Sequence, residues 1–126
     1  TERPGGNVTL WDISDLNNVR LASTINPQDF GFRAFSAHNP VIKGNLLYVS
    51  WYDAGLRVFD ITDPFNPVNH GAYDTYPGTA RGYAGNWGVY PFLENDRVLV
   101  SDIERGVWAF VMLFVILDQP LPSRTE

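Results

Sequence analysis

Acidic residues recur in pairs along this chain: Asp12 with Asp15, then Asp60 with Asp63, each spaced Asp-x-x-Asp. Paired carboxylates invite calcium ligation or general acid-base work. Repetition points elsewhere. A catalytic site is usually singular, whereas a carboxylate that accepts the backbone N–H groups of a turn is wanted wherever that turn recurs. No twelve-residue calcium loop is present. Asp53 and Glu104 each stand two residues before a glycine, and with His38 they are the groups an enzyme would use for metal or acid-base chemistry. His70 falls on what reads as an outer strand, far along the chain from His38, so a metal shared by the two histidines is not expected. Ser50 and Ser101 lack nucleophile-elbow surroundings and have no base nearby in sequence. Gly82-Tyr83-Ala84-Gly85-Asn86 is not spaced like a dinucleotide fingerprint and no helical pattern follows, so it reads as a flexible loop between units. Asn7-Val8-Thr9 is formally a glycosylation sequon, without meaning in a bacterial source. From these residues no catalytic group, no metal site and no cofactor is expected.

The elements that would position such residues are β-strands. The chain has 126 residues, 44% hydrophobic and 14% aromatic, enough to bury a core, and its 11 glycines and 9 prolines punctuate short apolar runs instead of clustering into a linker. Fourteen acids against nine bases give a net charge of -5, and no window is strongly basic, which removes the usual source of nucleic-acid affinity. The absence of cysteine excludes disulfides and thiolate metal sites and leaves the compartment open. The apolar run 107–117 is well short of the roughly 20 residues that cross a bilayer, so no membrane span is expected. Thr1-Glu2-Arg3-Pro4-Gly5-Gly6 carries neither an initiator Met nor a signal pattern, so the chain reads as part of something longer.

A fixed period identifies a repeat architecture before any local assignment is made. A shift of 51 aligns Pro40 with Pro91, Val49-Ser50 with Val100-Ser101, Asp53 with Glu104, Gly55 with Gly106 and Phe59 with Phe110. The same shift matches Val41 with Phe92 and Ile42 with Leu93. A shift of 48 lays Trp11-Asp12-Ile13-Ser14-Asp15 on Phe59-Asp60-Ile61-Thr62-Asp63. The complete copy is expected to hold strand a at 39–43, b at 46–51, c at 56–61 and d at 68–74. Its turns are Lys43-Gly44-Asn45, Asp53-Ala54-Gly55 and Asp63-Pro64-Phe65-Asn66-Pro67. In the next copy Glu94-Asn95-Asp96 replaces the first turn, and Asn or Asp can supply its left-handed conformation. Four short strands in a period near 50 fit a blade of a β-propeller better than a sandwich or a parallel β-helix. The fold expected is all-β: a partial β-propeller of about two and a quarter four-stranded antiparallel blades. Its parts would be the end of one blade at 7–30, a complete blade at 36–76, a partial blade at 86–117 and a tail at 118–126.

The segment 38–67, HNPVIKGNLLYVSWYDAGLRVFDITDPFNP, resembles the LVIVD-repeat proteins, bacterial and archaeal β-propellers on exported or surface-anchored chains. The resemblance rests on His38-Asn39-Pro40, on Ser50-Trp51-Tyr52 followed by Gly55-Leu56-Arg57-Val58, and on Asp60-Ile61-Thr62-Asp63-Pro64. Trp87-Gly88-Val89-Tyr90-Pro91-Phe92 and Ser101-Asp102-Ile103-Glu104-Arg105-Gly106-Val107-Trp108 look like the following repeat, and the likeness covers about 8–110. It implies a location outside the cytoplasm: secreted, periplasmic or at the cell surface. The greasy stretch 109–117, with no Asp-Pro turn after it, departs from the family pattern, and so does the number of blades.

His38 is the first candidate for function, because the loop before strand a opens near the axis of a propeller and the shift of 51 places Val89 at the matching position. Its ring could equally tie itself to the backbone of a neighbouring blade. Trp51, Tyr52, Trp87, Tyr90 and Trp108 are expected mostly as core aromatics between blades, and a few of them, notably Trp87 at the mouth of strand a, could form a sticky rim. The candidate ligand-binding residues on the channel-face loops are therefore His38, Asn39, Trp87 and Tyr90. The function expected is a non-catalytic binding or scaffold propeller that presents loops to a protein or ligand. The alternatives are an enzyme on the central face and a structural subunit of a larger assembly. The open blade faces would be covered by the remaining blades of the same propeller or by a protein partner, for which the 107–117 edge is the expected surface.

Overall fold

The structure is a computed structural model that describes residues 4–77 and 82–112. Within them lie nine strands: β1 Val8–Asp12, β2 Arg20–Ile25, β3 Asn39–Lys43, β4 Leu46–Ser50, β5 Leu56–Asp60, β6 Val68–Tyr73, β7 Asn86–Tyr90, β8 Arg97–Asp102 and β9 Gly106–Val111. They form three antiparallel sheets in chain order, β1-β2, β3-β4-β5-β6 and β7-β8-β9, so the fold is all-β and has the form of a partial propeller. Within the middle sheet the strands end within one residue of the sequence expectation.

Two apolar layers hold the sheets together. Alternation along β4 sends Leu47 and Val49, with Trp51 beyond them and Phe59 of β5, to a core shared with Val8 and Ile25 of the first sheet. The intervening residues Tyr48, Leu56 and Val58 face the other way and meet Val89, Val98 and Val100 of the third sheet. The middle strands are therefore buried on both faces, which is why they read as nearly continuous apolar runs. A 3-10 turn at Pro27–Phe30, started by Pro27 and stopped by Gly31 in the left-handed region, was not expected from the sequence. It carries Phe30 edge-on against Phe59, while Phe32 packs against Trp51 and lies under the Arg57 guanidinium. Burial there pushes the Arg57 pKa down.

The 48-residue rhythm reaches into irregularities. The β1–β2 pairing shifts register between Leu10 and Trp11, and the β5–β6 pairing does so between Val58 and Phe59, 48 positions on. The 51-residue rhythm holds for strands b and c and fails for strand a. Ser50 pairs with Asn39, but its counterpart Ser101 pairs with Gly88, so the third sheet has two more residues between strand a and strand b. Pro91, Phe92 and Leu93, aligned by sequence with Pro40, Val41 and Ile42, lie in the enlarged hairpin loop, and the position of His38 is taken by Trp87, not Val89. The left-handed turn expected at Asn95 and Asp96 is present, with φ 56° and 53°. Of the apolar run 107–117, residues 113–117 lie outside the described residues, as does the tail 118–126.

Candidate functional site

Carboxylates at the strand ends are occupied by the backbone. Asp12 Oδ1 accepts the Ser14 N–H at 3.0 Å and Asp60 Oδ1 that of Thr62 at 2.8 Å; Asp15 and Asp63 do the same for Asn17 and Phe65. These bonds, with the Ser14 hydroxyl foremost and the Arg20 guanidinium added, hold Asp12 down to about 2, and the Thr62 hydroxyl and the Asn66 amide lower Asp60 and Asp63. The Asp-x-x-Asp pairs thus make turns. Asp53 and Glu104 share a duty of their own: Asp53 Oδ1 accepts the Phe35 N–H at 2.7 Å and Glu104 Oε2 the Gly85 N–H at 2.8 Å. Each clips the segment that leads into strand a of its own sheet.

Strand entry is where the aromatic side chains gather. The His38 ring lies 4.0 Å, centroid to centroid, from Trp87 of the next sheet, and its Nδ1 is 3.1 Å from Tyr52 Oη. Tyr52 also meets Tyr83 at 5.2 Å, and Tyr83 meets Phe35 at 4.8 Å. Tyr52 is buried and occupies the left-handed region with φ 33°, an uncommon conformation for an aromatic residue. Its carbonyl compensates by accepting both the Gly55 and the Asn86 N–H groups. Gly85 is needed beside it, since a Cβ there would stand 2.6 Å from the Tyr52 carbonyl oxygen. Tyr83 and Trp87 each remain about half exposed, at 50% and 48%.

The four sequence-predicted residues fall into two pairs. His38 and Trp87 are in ring contact, their planes tilted by 34°; Asn39 and Tyr90 line a shallow groove of about 330 Å³ with Leu99, Ser101 and Val107. A neighbouring groove of about 370 Å³, lined by Trp87, Ser101, Asp102 and Ile103, shares Ser101 with it. Sequence reasoning missed Phe35 and Tyr83 and read Tyr52 only as a wedge. The left-handed Tyr52 and the long range of the Phe35 contact leave no local signal, whereas Tyr83 between two glycines was visible as a loop-borne aromatic. His70 stands apart on β6. A cavity of about 740 Å³ lies by the first sheet and is lined by Asn7, Asn26, Gln28, Asp29 and Arg33 among others. There the Asn7 amide donates to Asn26 Oδ1, so the sequon asparagine is engaged within the protein.

Among the described residues no group of three or more His, Cys, Asp or Glu converges as metal ligands would, and no helix is long and apolar enough to cross a membrane. Residues 36–75, the segment that contains His38, Tyr52 and the whole middle sheet, match the family model described as LVIVD repeat. No curated protein and no solved structure matches the chain.

Proposed function

Because residues 36–75 match the LVIVD repeat, we propose that the protein is a non-catalytic binding propeller, exported or at the cell surface, which takes a protein or other ligand on the strand-a end of its second and third blades. The supporting observation is the aromatic group His38, Tyr52, Tyr83 and Trp87: its inner members are packed and hydrogen-bonded, while Tyr83 and Trp87 offer half their surface to solvent. Rigid, half-exposed aromatic rings contribute contact area at low entropic cost. Asn39 and Tyr90 extend the surface along the adjoining groove. The enzyme reading is weakened by Asp53 and Glu104, whose oxygens bond loop backbone.

Arrays of peptides and glycans probed with the wild type and with Trp87→Ala test the proposal. The expected result is a set of ligands whose signal falls by about tenfold or more in the variant, the loss typical of a central aromatic anchor, with thermal melting little changed. Ligands bound equally by both proteins would overturn it. A stoichiometric transition metal in the purified protein would favour the enzyme instead.

A specific observation supports a further role for partners. Trp11 and Leu21 on the first sheet, Ile13 just past the end of β1, and Val107 and Val111 on the third sheet are exposed. Trp11 and Val107 occupy the repeat positions of Phe59 and Leu56, which are buried between sheets. These faces fit further blades, from the same propeller or a partner chain.

A further inference from the structure

Asn86 and Asp102 are cross-strand partners on β7 and β8, and such partners share a face of the sheet. On β8 that face also carries Val98 and Val100, which are buried against the middle sheet. In the middle sheet the corresponding positions are Ala37 and Trp51, both members of an apolar core. The third sheet has thus exchanged an apolar pair for an amide and a carboxylate without leaving the interior: Asn86 is 0% and Asp102 5% exposed.

Half of each group is accounted for by protein. Asp102 Oδ1 accepts the Glu104 and Arg105 N–H groups at 2.9 Å, and Asn86 Nδ2 donates to the Ser101 carbonyl at 2.9 Å, which fixes the direction of the amide. Asp102 Oδ2 and Asn86 Oδ1 are sealed from solvent and bond to no protein group; Thr75 Oγ1 is in the same condition. Thr75 approaches from the middle sheet. Gly55 lies against the backbone of Tyr73, Asp74 and Thr75, and the Gly55 and Asn86 N–H groups share the Tyr52 carbonyl. The nearest guanidinium in sequence, that of Arg105, is over the Tyr76 ring.

We propose that Asp102 Oδ2, Asn86 Oδ1 and Thr75 Oγ1 form a site for a calcium ion at the junction of the second and third sheets. Two of the three are carbonyl-type oxygens, one of a carboxyl and one of an amide, and all three are buried without a protein partner. A donor set made wholly of oxygen selects a hard cation, and the irregular mixture of carboxylate, amide and hydroxyl suits the flexible coordination of calcium better than the strict octahedron of magnesium. With a single carboxylate the affinity belongs to the weak class, about 0.1 to 1 mM, the range of extracellular calcium modules.

Terbium, a luminescent stand-in for calcium, reports on this site because Trp87 lines the groove beside Asp102 and can sensitise its emission. The full chain is expected to show tryptophan-sensitised terbium emission that calcium competes away, and a melting temperature raised by about 5 °C at about 10 mM calcium. Asp102→Asn should weaken terbium binding by about tenfold or more, and Asn86→Asp should tighten it, because ligand charge tunes such sites. Absence of sensitised emission, or emission unchanged in Asp102→Asn, overturns the proposal. So does an Asn86→Asp protein destabilised equally with and without calcium, the behaviour of a pocket that holds only water. Should Asp102→Asn fail to fold, Asn86→Asp and Thr75→Val decide: tighter and weaker binding respectively support the site, and binding that moves in neither overturns it.

Discussion

Single residues fix the corners of this molecule. Gly55 has φ 74° and lies so close to the Tyr73 carbonyl oxygen that a Cβ would collide with it. Gly55→Ala is therefore expected to cost about 2 kcal/mol or more, combining left-handed strain with displacement of the β6 end. Urea denaturation measures it, and a loss below half that value would show that the turn yields easily. Removing the carboxylate in Asp53→Ala leaves the Phe35 N–H without its acceptor and should cost about 1 to 3 kcal/mol. Glu104→Ala acts on Gly85 in the same way. The His38 ring bridges two sheets, through the Tyr52 hydroxyl on its own side and Trp87 on the other. A His38→Ala protein should therefore show altered Trp87 fluorescence in addition to any loss of stability.

Elements are governed by the turns that join them. Asp12, Asp60 and Asp63 all have pKa values lowered by bonds that exist only in the folded turns, Asp12 from 3.8 to about 2. A depressed folded-state pKa contributes stability that is present above the unfolded value and lost as pH falls through the folded one. The melting temperature should accordingly drop most steeply between pH 4 and 2, and Asp60→Asn should flatten that drop; a profile flat through this window would show that the turn bonds add nothing. These turns were legible in the sequence because their chemistry is local: an Asp two residues before the N–H it accepts is visible in Asp60-Ile61-Thr62 without any knowledge of the fold. Strand a of the third blade was not. Pro40 and Pro91 coincide under the 51-residue shift, yet pairing partners, not matching prolines, decide register, and Ser101 chose Gly88. The Asn86 and Asp102 pair was equally hidden, since a lone Asp at a strand end reads as a turn residue until its opposite number and its burial are known. The one available clue was that Asp102 stands where the preceding copy has Trp51.

At the scale of the whole molecule, adhesion between sheets comes from both faces of the middle one. Leu47→Ala should cost about 2 to 5 kcal/mol, as large-to-small changes in a closed core do, and should loosen the first sheet; Val58→Ala should loosen the third. Hydrogen exchange resolved by strand would separate the two effects, and equal loosening of both sheets by either substitution would mean that the core acts as one unit. The apolar outer faces should make the isolated chain self-associate, and Val107→Lys with Trp11→Lys should lower the apparent mass in light scattering. The longer β7–β8 hairpin has one more consequence. Sliding a strand by one residue would turn every inward side chain outward, but a slide of two restores the parity of the pleat and merely advances the sequence by one step along the same face. A two-residue length change at the hairpin tip therefore works as a vernier: it brings Trp87 in place of Val89 to the mouth beside His38 while the valines behind it keep their side of the sheet.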